Sequence, residues 1–585
     1  MAEGRLVGQV GPARNGAALG LIAAACAVFA MFVWASGGIS TSVAGIAVRS
    51  RSWERPAALA AVVGVLALYR GRQALRAGLP RAAAALVGMR WIVPALLVAW
   101  TVTASLWFGT HAAGGADSYG YVSQAELLAR GRLTDSMPLN PAFDWPDVPY
   151  TLTPLAYGRN AHPGELAPVY PPGLSLMMAP LVWLDARAVF LVVPLCAALA
   201  VWLCVRLGRA LGAPGAGLLG ALLLACSPTF LLQAVQPMSD VPVTALWLAA
   251  LLLARQPSSG PLFAGAVASL AIMVRPNLAP LAALVAAATL GQENVDGAER
   301  QRRRASAMRA AVCVAAMIPG LAALGWIQSV RYGSPLASGY GSFGELFSLA
   351  NVAPNLQRYP RWLTAAHTPF IWAWLLSPLV FAGAPRHLRT FSWVLYAFTA
   401  AVVFAYLPYI YFRPDEWSYT RFLLPALPMM LVLGAAVLLV LLRRILPRRG
   451  GAVAALLGCA LAAWCLVTTI DRGVFRLRQE ERKYPRVGIF VRDRLPPTAF
   501  VMAAQHSGSV RYYSHRPTLR WDVLDRAALD RAIGSLRKAG FDPFVVLDAG
   551  EDEEFRRKFG GANQQAVLTM TPVATIGNTG VYGFR

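Results

Sequence analysis

Charged residues are scarce in this chain. They make up 14% of its 585 residues, against about 25% in typical soluble domains. Hydrophobic residues make up 57%, and the mean hydropathy is +0.50. This deficit of charge excludes an ordinary soluble protein and indicates a membrane protein. Lysine is scarcest, because only Lys483, Lys538 and Lys558 occur, so the net charge of +24 comes almost entirely from arginine.

Cysteine is also sparse, and its placement excludes two further classes. The seven cysteines fall inside apolar segments, without the spacing of a metal site or a thiol pair. They are expected to be small buried side chains, so no disulfide framework is implied. The arginines lie in short loops between apolar runs and not in one basic patch, which argues against a nucleic-acid partner.

What the chain does contain is a succession of thirteen apolar segments. A helix needs about 20 residues to cross a bilayer, so the shorter segments are expected to be tilted or merged. The segments are 17–36, 56–70, 91–110, 188–205, 214–233, 238–254, 261–275, 276–290, 309–328, 370–384, 390–408, 421–442 and 452–470. Arginine-dense loops such as 299–309 and 443–450 are predicted to be cytoplasmic, which places loop 111–187 and the tail after 471 on the opposite side.

Three regions are therefore predicted. Residues 1–90 form an additional transmembrane hairpin with a basic cytoplasmic loop, and residues 91–471 form the main membrane domain. Residues 472–585 mix both signs of charge with β-rich runs at 498–504 and 543–549 and a helical stretch between them, which indicates a small soluble α/β domain.

Segment 169–186 is apolar, but counting it as a span would reverse the positive-inside order. It begins with two prolines, which suit a helical N-terminus, so we predict an interfacial or re-entrant helix.

Asp117 raises the main functional question. It follows segment 91–110 and begins the stretch DSYGYVSQAELLARG, where apolar residues recur at 121, 125, 128 and 129. This spacing predicts a short amphipathic helix on the membrane surface. Asp117 would then be a simple N-cap, since aspartate is favoured there. A cap does not explain the long loop or the further acids in it, so a catalytic role for Asp117 is kept as the alternative to capping.

Five segments carry a resemblance, in this order: GADSYGYVSQAELLARGRL (115–133), YPPGLSLMMAPL (170–181), QPMSDVPVTALWLAALLLA (236–254), RPN (275–277) and YTRFLLPALPMMLVL (419–433). They resemble the GT-C-type integral-membrane glycosyltransferases, including the protein O-mannosyltransferase and aminoarabinose-transferase group. The resemblance covers about residues 91–470. Many members have a second acid directly after the first, whereas this chain has Ser118 there.

The resemblance implies an all-α polytopic membrane domain of about thirteen helices with a small extracytoplasmic α/β domain. It also implies a bacterial inner-membrane enzyme whose active site faces outward. The donor would be a sugar on a polyprenyl phosphate, and the acceptor a lipid, a glycan or a protein. Asp117 would be the base of an inverting displacement and Asp240 a second acid. Arg275 and Arg421, with Arg413 nearby, would bind the phosphate.

Other residues complete the expected site. Glu165 and His162 are candidates for binding an acceptor or a metal, and Tyr121 and Tyr170 for stacking on a sugar. A divalent metal, Mg or Mn, is a further expected aid to the leaving phosphate.

Each of these residues also has a structural interpretation. Asp240 suits the first turn of a helix, where negative charge is favoured. Arg275 would then form a salt bridge with Asp240, and Arg421 would snorkel to the interface. A lone loop histidine is commonly solvated, and tyrosine is common at membrane interfaces.

Two other functions compete with the transferase. A transporter or flippase would place ionisable residues near the bilayer midplane, but here the charges cluster at the ends of the apolar segments. A polysaccharide polymerase or ligase is expected to rely on arginine and histidine in a large late loop. The acidic residues of this chain fall mainly in its first large loop, which favours the transferase.

Overall fold

The computed structural model describes residues 91–290, 299–341, 343–411, 416–561 and 565–584, with only short pieces before residue 91. Those pieces include an antiparallel pair of strands, β1 (Ile39–Val43) and β2 (Ile46–Ser50). The predicted spans 17–36 and 56–70 lie outside the described residues, apart from isolated positions.

Helices dominate the region from residue 92 to residue 471. Counting helices of at least seven residues, the first ten are α1 (Ile92–Trp107), α2 (Asp117–Ala129), α3 (Gly173–Val182), α4 (Val192–Ala210), α5 (Pro214–Cys226), α6 (Pro228–Ala234), α7 (Asp240–Leu253), α8 (Gly260–Val274), α9 (Ala282–Ala288) and α10 (Glu299–Ala315). The next five are α11 (Ile318–Tyr332), α12 (Val352–His367), α13 (Arg386–Tyr406), α14 (Leu427–Ile445) and α15 (Gly450–Asp471). Loop 111–187 adds three short strands, β3 (Asp135–Ser136), β4 (Tyr157–Arg159) and β5 (Glu165–Pro168).

Five helical segments within the described residues are long and apolar enough to cross a membrane. The number rises to seven if each of two sharply bent pairs counts as one span, and five shorter apolar helices accompany them. The chain is therefore a mostly helical protein with several candidate spans, and the total of thirteen stays a prediction.

Proline positions account for several breaks in these helices. Helices α5 and α6 meet at an angle of 62° around Ser227, where Pro228 cannot donate a backbone hydrogen bond. The predicted span at 421–442 begins instead as a 3-10 segment, Trp417–Ala426, before α14 continues the path. Arg421 thus lies in the tighter segment and not in a regular helix.

Helix α3 has ten residues, which is about 15 Å of rise and half the hydrocarbon thickness of a bilayer. This length agrees with the predicted interfacial or re-entrant helix at 169–186. Gly173 begins α3 against the backbone of Met273 and Val274, where an added Cβ would lie 2.3 Å from the Val274 nitrogen. A glycine at this position therefore lets α3 approach the end of α8 closely.

Helix α2 is largely buried inside the protein. All residues from Ser118 to Ala125 are buried, whereas Leu128 and Ala129, expected on the apolar face, are only half-buried. Helix α3 packs against α2 from one side, and a helix of the C-terminal tail packs against it as well. The predicted helix is confirmed, but docked parts of the chain cover its polar face, which was expected to be solvated. Its position at the membrane surface stays a prediction.

The C-terminal tail is an α/β unit built on a five-stranded sheet. In chain order its strands are β6 (Ala499–Met502), β7 (Thr518–Leu519), β8 (Asp542–Asp548), β9 (Met570–Ile576) and β10 (Thr579–Phe584), and their order in the sheet is β7-β6-β8-β10-β9. Its main helices are α16 (Lys483–Arg494), α17 (Ser507–Ser514), α18 (Leu529–Lys538) and α19 (Ala549–Phe559). Strands β6 and β8 and helix α18 confirm the predicted pattern.

The tail is docked on loop 111–187 by backbone and side-chain contacts. The Arg520 amide donates to the carbonyl of Thr151 at 2.7 Å, and the Tyr513 hydroxyl accepts from the Ala113 amide at 2.8 Å. Gly508 lies so close to the Tyr119 ring that an added Cβ would sit 2.1 Å from a ring carbon. These contacts hold α17 against α2 and so fix the surroundings of Asp117.

Candidate functional site

Asp117 is the first residue of α2, and its carboxylate is directed at two donors from distant parts of the chain. The Arg421 guanidinium donates to Oδ2 at 3.0 Å, and the Tyr170 hydroxyl donates to Oδ1. The Asp117 side chain is 31% exposed and that of Arg421 is 23% exposed. The N-cap of α2 is Ala116, and among the described residues the Asp117 side chain forms no capping hydrogen bond. The carboxylate is therefore used in a tertiary cluster and not as a cap.

The electrostatic surroundings keep Asp117 ionised. Burial raises the pKa of its carboxyl group, but the Arg421 charge and the hydrogen bonds from Tyr170 and Arg421 act in the opposite direction. The opposing effects together hold the pKa of Asp117 below its usual value. Burial and the nearby Asp117 charge raise the pKa of Tyr170, which keeps its hydroxyl protonated as a donor.

A second acid–arginine pair lies deeper. The Arg275 guanidinium donates to Oδ1 of Asp240 at 2.5 Å, with side-chain exposures of 10% and 1% respectively. Asp240 begins α7, and Arg275 follows the last residue of α8. The salt bridge predicted at this helix break is thus confirmed.

Phe422 connects the two pairs. The centre of the Arg275 guanidinium lies 5.4 Å from the Phe422 ring centroid, and that of Arg421 lies 5.1 Å from it. Both distances fall within the range of cation–π attraction. Two carboxylates and two guanidiniums therefore form one cluster around a single aromatic ring.

Buried polar contacts hold the Tyr170 backbone next to α2. Gln124 donates to the carbonyl of Tyr170 at 3.2 Å, and Ser175 donates to Gln124 and to the Tyr121 carbonyl, each at 2.8 Å. The rings of Tyr121 and Tyr170 pack with their centroids 4.8 Å apart. Tyr340 from a later loop contacts the Tyr170 ring edge-on at 5.9 Å.

Six of the eight predicted site residues thus meet in one place, and two do not. Glu165 lies in β5 and accepts a hydrogen bond from Asn160 at 2.7 Å, not from the cluster. His162 is exposed in the preceding turn. Arg413, expected near Arg421, lies outside the described residues.

Phe422 and Tyr340 were not predicted for this site. Phe422 could have been suspected from its place next to Arg421. Tyr340 lies in the uncharged stretch SGYG, where no neighbouring residue indicates a functional site.

The donor set does not fit a divalent metal. Each carboxylate of the cluster is already paired with a guanidinium, so a cation would have to displace an arginine from it. In the described parts of the chain, no three His, Cys, Asp or Glu side chains are grouped to hold a metal ion. The positive charge at this site comes from Arg275 and Arg421.

Comparison with known proteins gives one partial sequence match. A family model described as a domain of unknown function, DUF6311, matches residues 172–368, which is less than half of the chain. No curated protein matches this chain by sequence.

Solved structures are similar over most of the chain. ArnT from Cupriavidus metallidurans, crystallised bound to undecaprenyl phosphate, has a TM-score of 0.52 at 14% identity, covering 84% of this chain and 97% of its own. The apo oligosaccharyltransferase of Archaeoglobus fulgidus has a TM-score of 0.50 at 13% identity, covering 80% of this chain and 71% of its own. The fold is thus that of the GT-C glycosyltransferases, and the expected resemblance is confirmed at the level of the fold.

Proposed function

We propose that this protein is a membrane glycosyltransferase that moves a sugar from a polyprenyl phosphate to an acceptor hydroxyl, with inversion, at the outer face of a bacterial inner membrane. The observation that carries the proposal is the cluster of two aspartate–arginine pairs around Phe422. The GT-C fold supports it, since a similar structure was crystallised with undecaprenyl phosphate. Fold alone does not determine function, so the chemistry is argued from the cluster.

Asp117 serves as the base. The acceptor oxygen attacks the anomeric carbon, the bond from that carbon to the phosphate oxygen breaks, and the phosphate leaves with the bonding electrons. The acceptor proton passes to the Asp117 carboxylate. A base must be unprotonated to act, and the lowered pKa of Asp117 keeps it so at neutral pH.

Arg421 binds the donor phosphate. Its present partner is the Asp117 carboxylate, which accepts one hydrogen bond from it, whereas a phosphate can accept two from the same guanidinium. Donor binding would then draw Arg421 away from Asp117 and raise the pKa of the freed carboxylate toward the working pH, where a general base is most effective. The donor itself thereby prepares the base.

Asp240 has a positioning role in this scheme. Its side chain is 1% exposed, and its Oδ1 accepts from Arg275 at 2.5 Å, so it is poorly placed to accept a proton from a bound acceptor. It holds the Arg275 guanidinium beside Phe422, from which Arg275 adds positive charge next to the leaving phosphate. We thus assign Asp240 a positioning role in place of the catalytic role predicted from sequence.

The test is sugar transfer in membranes containing the wild type, Asp117→Asn or the control Asp185→Asn. Asp185 is an exposed acid that accepts a backbone hydrogen bond, which asparagine preserves. With a panel of radiolabelled polyprenyl-phosphate sugars, we expect donor-dependent transfer that is lost only in Asp117→Asn. The anomeric configuration of the product tests inversion. If the folded wild type consumes none of the donors, the transferase proposal fails and a transporter becomes the better explanation.

A further inference from the structure

A cavity of about 410 Å³ lies on the side of α2 where the C-terminal tail docks. It is lined by α2, strand β3, Tyr157 and the end of α17 with the residues that follow it, and it is open to one side. Tyr119, Ser123 and Glu126 of α2 line it, whereas Tyr121 of the same helix contacts Tyr170 at the aspartate–arginine cluster. The cavity is therefore separate from the site of the proposed transfer.

The charge of the cavity is predominantly positive. Four arginines and two carboxylates line it, so guanidinium exceeds carboxylate by two. Asp135 is shared, because it accepts from Arg511 at 2.8 Å and lies 3.6 Å from Arg132. The Nε of Arg516 is buried, and in the described part of the chain it has no hydrogen-bond partner. Guanidinium donors are thus left over after the internal pairs have formed.

The rest of the lining suits a sugar. Three tyrosines line the cavity, and the Tyr119 ring lies 5.7 Å from that of Tyr157 and 6.4 Å from that of Tyr512. Tyr119 and Tyr157 are buried, so the half-buried Tyr512 ring is the one that offers its apolar face to the C–H side of a sugar. The volume lies within the range of small-molecule sites.

A strained residue lies at the same place. His515 caps the end of α17 in the left-handed region, with φ of +57°. A residue other than glycine occupies this region at a conformational cost, and such residues are concentrated at ligand sites. The side chain is exposed in the cavity lining, where its imidazole can donate to an anion.

We infer that this cavity binds a phosphorylated saccharide. The excess guanidinium would bind the phosphate, and the Tyr512 face would bind the sugar ring. This goes beyond the proposed transfer and does not depend on it, because no lining residue of the cavity belongs to the aspartate–arginine cluster. Binding should therefore persist in Asp117→Asn.

The experiment is calorimetric titration of the full-length protein in phosphatidylcholine nanodiscs with glucose 6-phosphate and with glucose. We expect glucose 6-phosphate to bind at least about tenfold more tightly than glucose, because its charged hydrogen bonds to arginine are the strong ones. Arg516→Gln should weaken binding about tenfold. The control Arg492→Gln, at an exposed arginine that is paired with its neighbour Asp493, should not.

A second variant separates a loss of binding from a loss of folding. His515→Gly removes the imidazole at a position where glycine is conformationally favoured, so affinity should fall without loss of thermal stability. No binding of glucose 6-phosphate, equal binding of glucose, or an equal loss in Arg492→Gln would each overturn the inference. A further titration in nanodiscs containing phosphatidylglycerol tests whether the cavity binds a lipid headgroup instead. If they block glucose 6-phosphate, the cavity takes a lipid headgroup, and its assignment to a saccharide is wrong.

Discussion

The salt bridge between Asp240 and Arg275 is the interaction whose removal should cost the most stability. Asp240→Asn keeps the shape of the side chain but leaves the Arg275 guanidinium, 10% exposed, without its carboxylate partner at 2.5 Å. Removing one member of a buried ion pair costs about 3–5 kcal/mol, since a charge is left in a poorly solvated place. We expect a loss of that size in the free energy of unfolding, measured by denaturant titration in micelles with circular dichroism.

A double-mutant cycle separates the pair from its surroundings. Arg275→Met should cost about as much as Asp240→Asn, because each leaves one charge buried and unpaired. The double variant should lose less than the sum of the two, by at least about 2 kcal/mol. Asp185→Asn, at the surface, should stay within about 0.5 kcal/mol of the wild type. A loss below about 1 kcal/mol in Asp240→Asn, or strict additivity, would refute the reasoning.

Three further predictions concern the cluster and the C-terminal tail. Tyr170→Phe removes a donor to Asp117, so the pKa of Asp117 should rise and the acid limb of the transfer rate against pH should move to higher pH; an unmoved limb would contradict this. Gly508→Ala should loosen the tail and speed its proteolysis, whereas Gly534→Ala, where an added Cβ meets no described atom within 4 Å, should stabilise α18 by about 0.5–1 kcal/mol. Burial raises the pKa of Glu481 to about 7. Its protonated form therefore favours folding below pH 4.5, and that contribution is lost as pH rises through 7, so Glu481→Gln should raise the melting temperature relative to wild type at pH 8 but not at pH 4.

The sequence alone identified the residues of the cluster, but it did not predict how they are arranged. Asp117, Asp240, Arg275 and Arg421 stand at the ends of apolar segments, where a charged residue needs a reason to be present. Local pattern is enough to find such residues. It does not reveal that Arg421 pairs with an acid 304 positions away, because that contact depends on how the helices pack.

Helix α2 shows the limit of periodicity. The spacing of its apolar residues predicts a helix, and the structure confirms the helix from Asp117 to Ala129. Periodicity reports only that one face is apolar, and it assumes that water or headgroups cover the other face. Here the tail covers part of α2, and buried Gln124 is satisfied by Ser175 and the Tyr170 backbone. A polar residue with internal partners is indistinguishable in sequence from a solvated one.

Helix ends also explain why acids and arginines alternate in the cluster. Both aspartates are the first residues of their helices, where the helix dipole favours negative charge, and Arg275 follows the last residue of α8, where positive charge is favoured. The two resulting pairs differ mainly in exposure. Breaking the buried Asp240–Arg275 pair costs about 3–5 kcal/mol, whereas the Asp117–Arg421 pair, with side chains 31% and 23% exposed, is partly reached by water and should cost less to open.

That difference decides which pair can exchange partners. An incoming phosphate has to compete with the carboxylate that the arginine already holds. At Arg421 the exchange should cost less, and in the proposed mechanism its outcome is an unpaired Asp117 carboxylate beside the bound donor. At Arg275 the same exchange would strand a buried Asp240 charge. In the proposed mechanism, the cluster therefore has one fixed pair that sets the positive charge in place and one exchangeable pair whose opening supplies the base, an arrangement suited to a transfer from a phosphate to a hydroxyl.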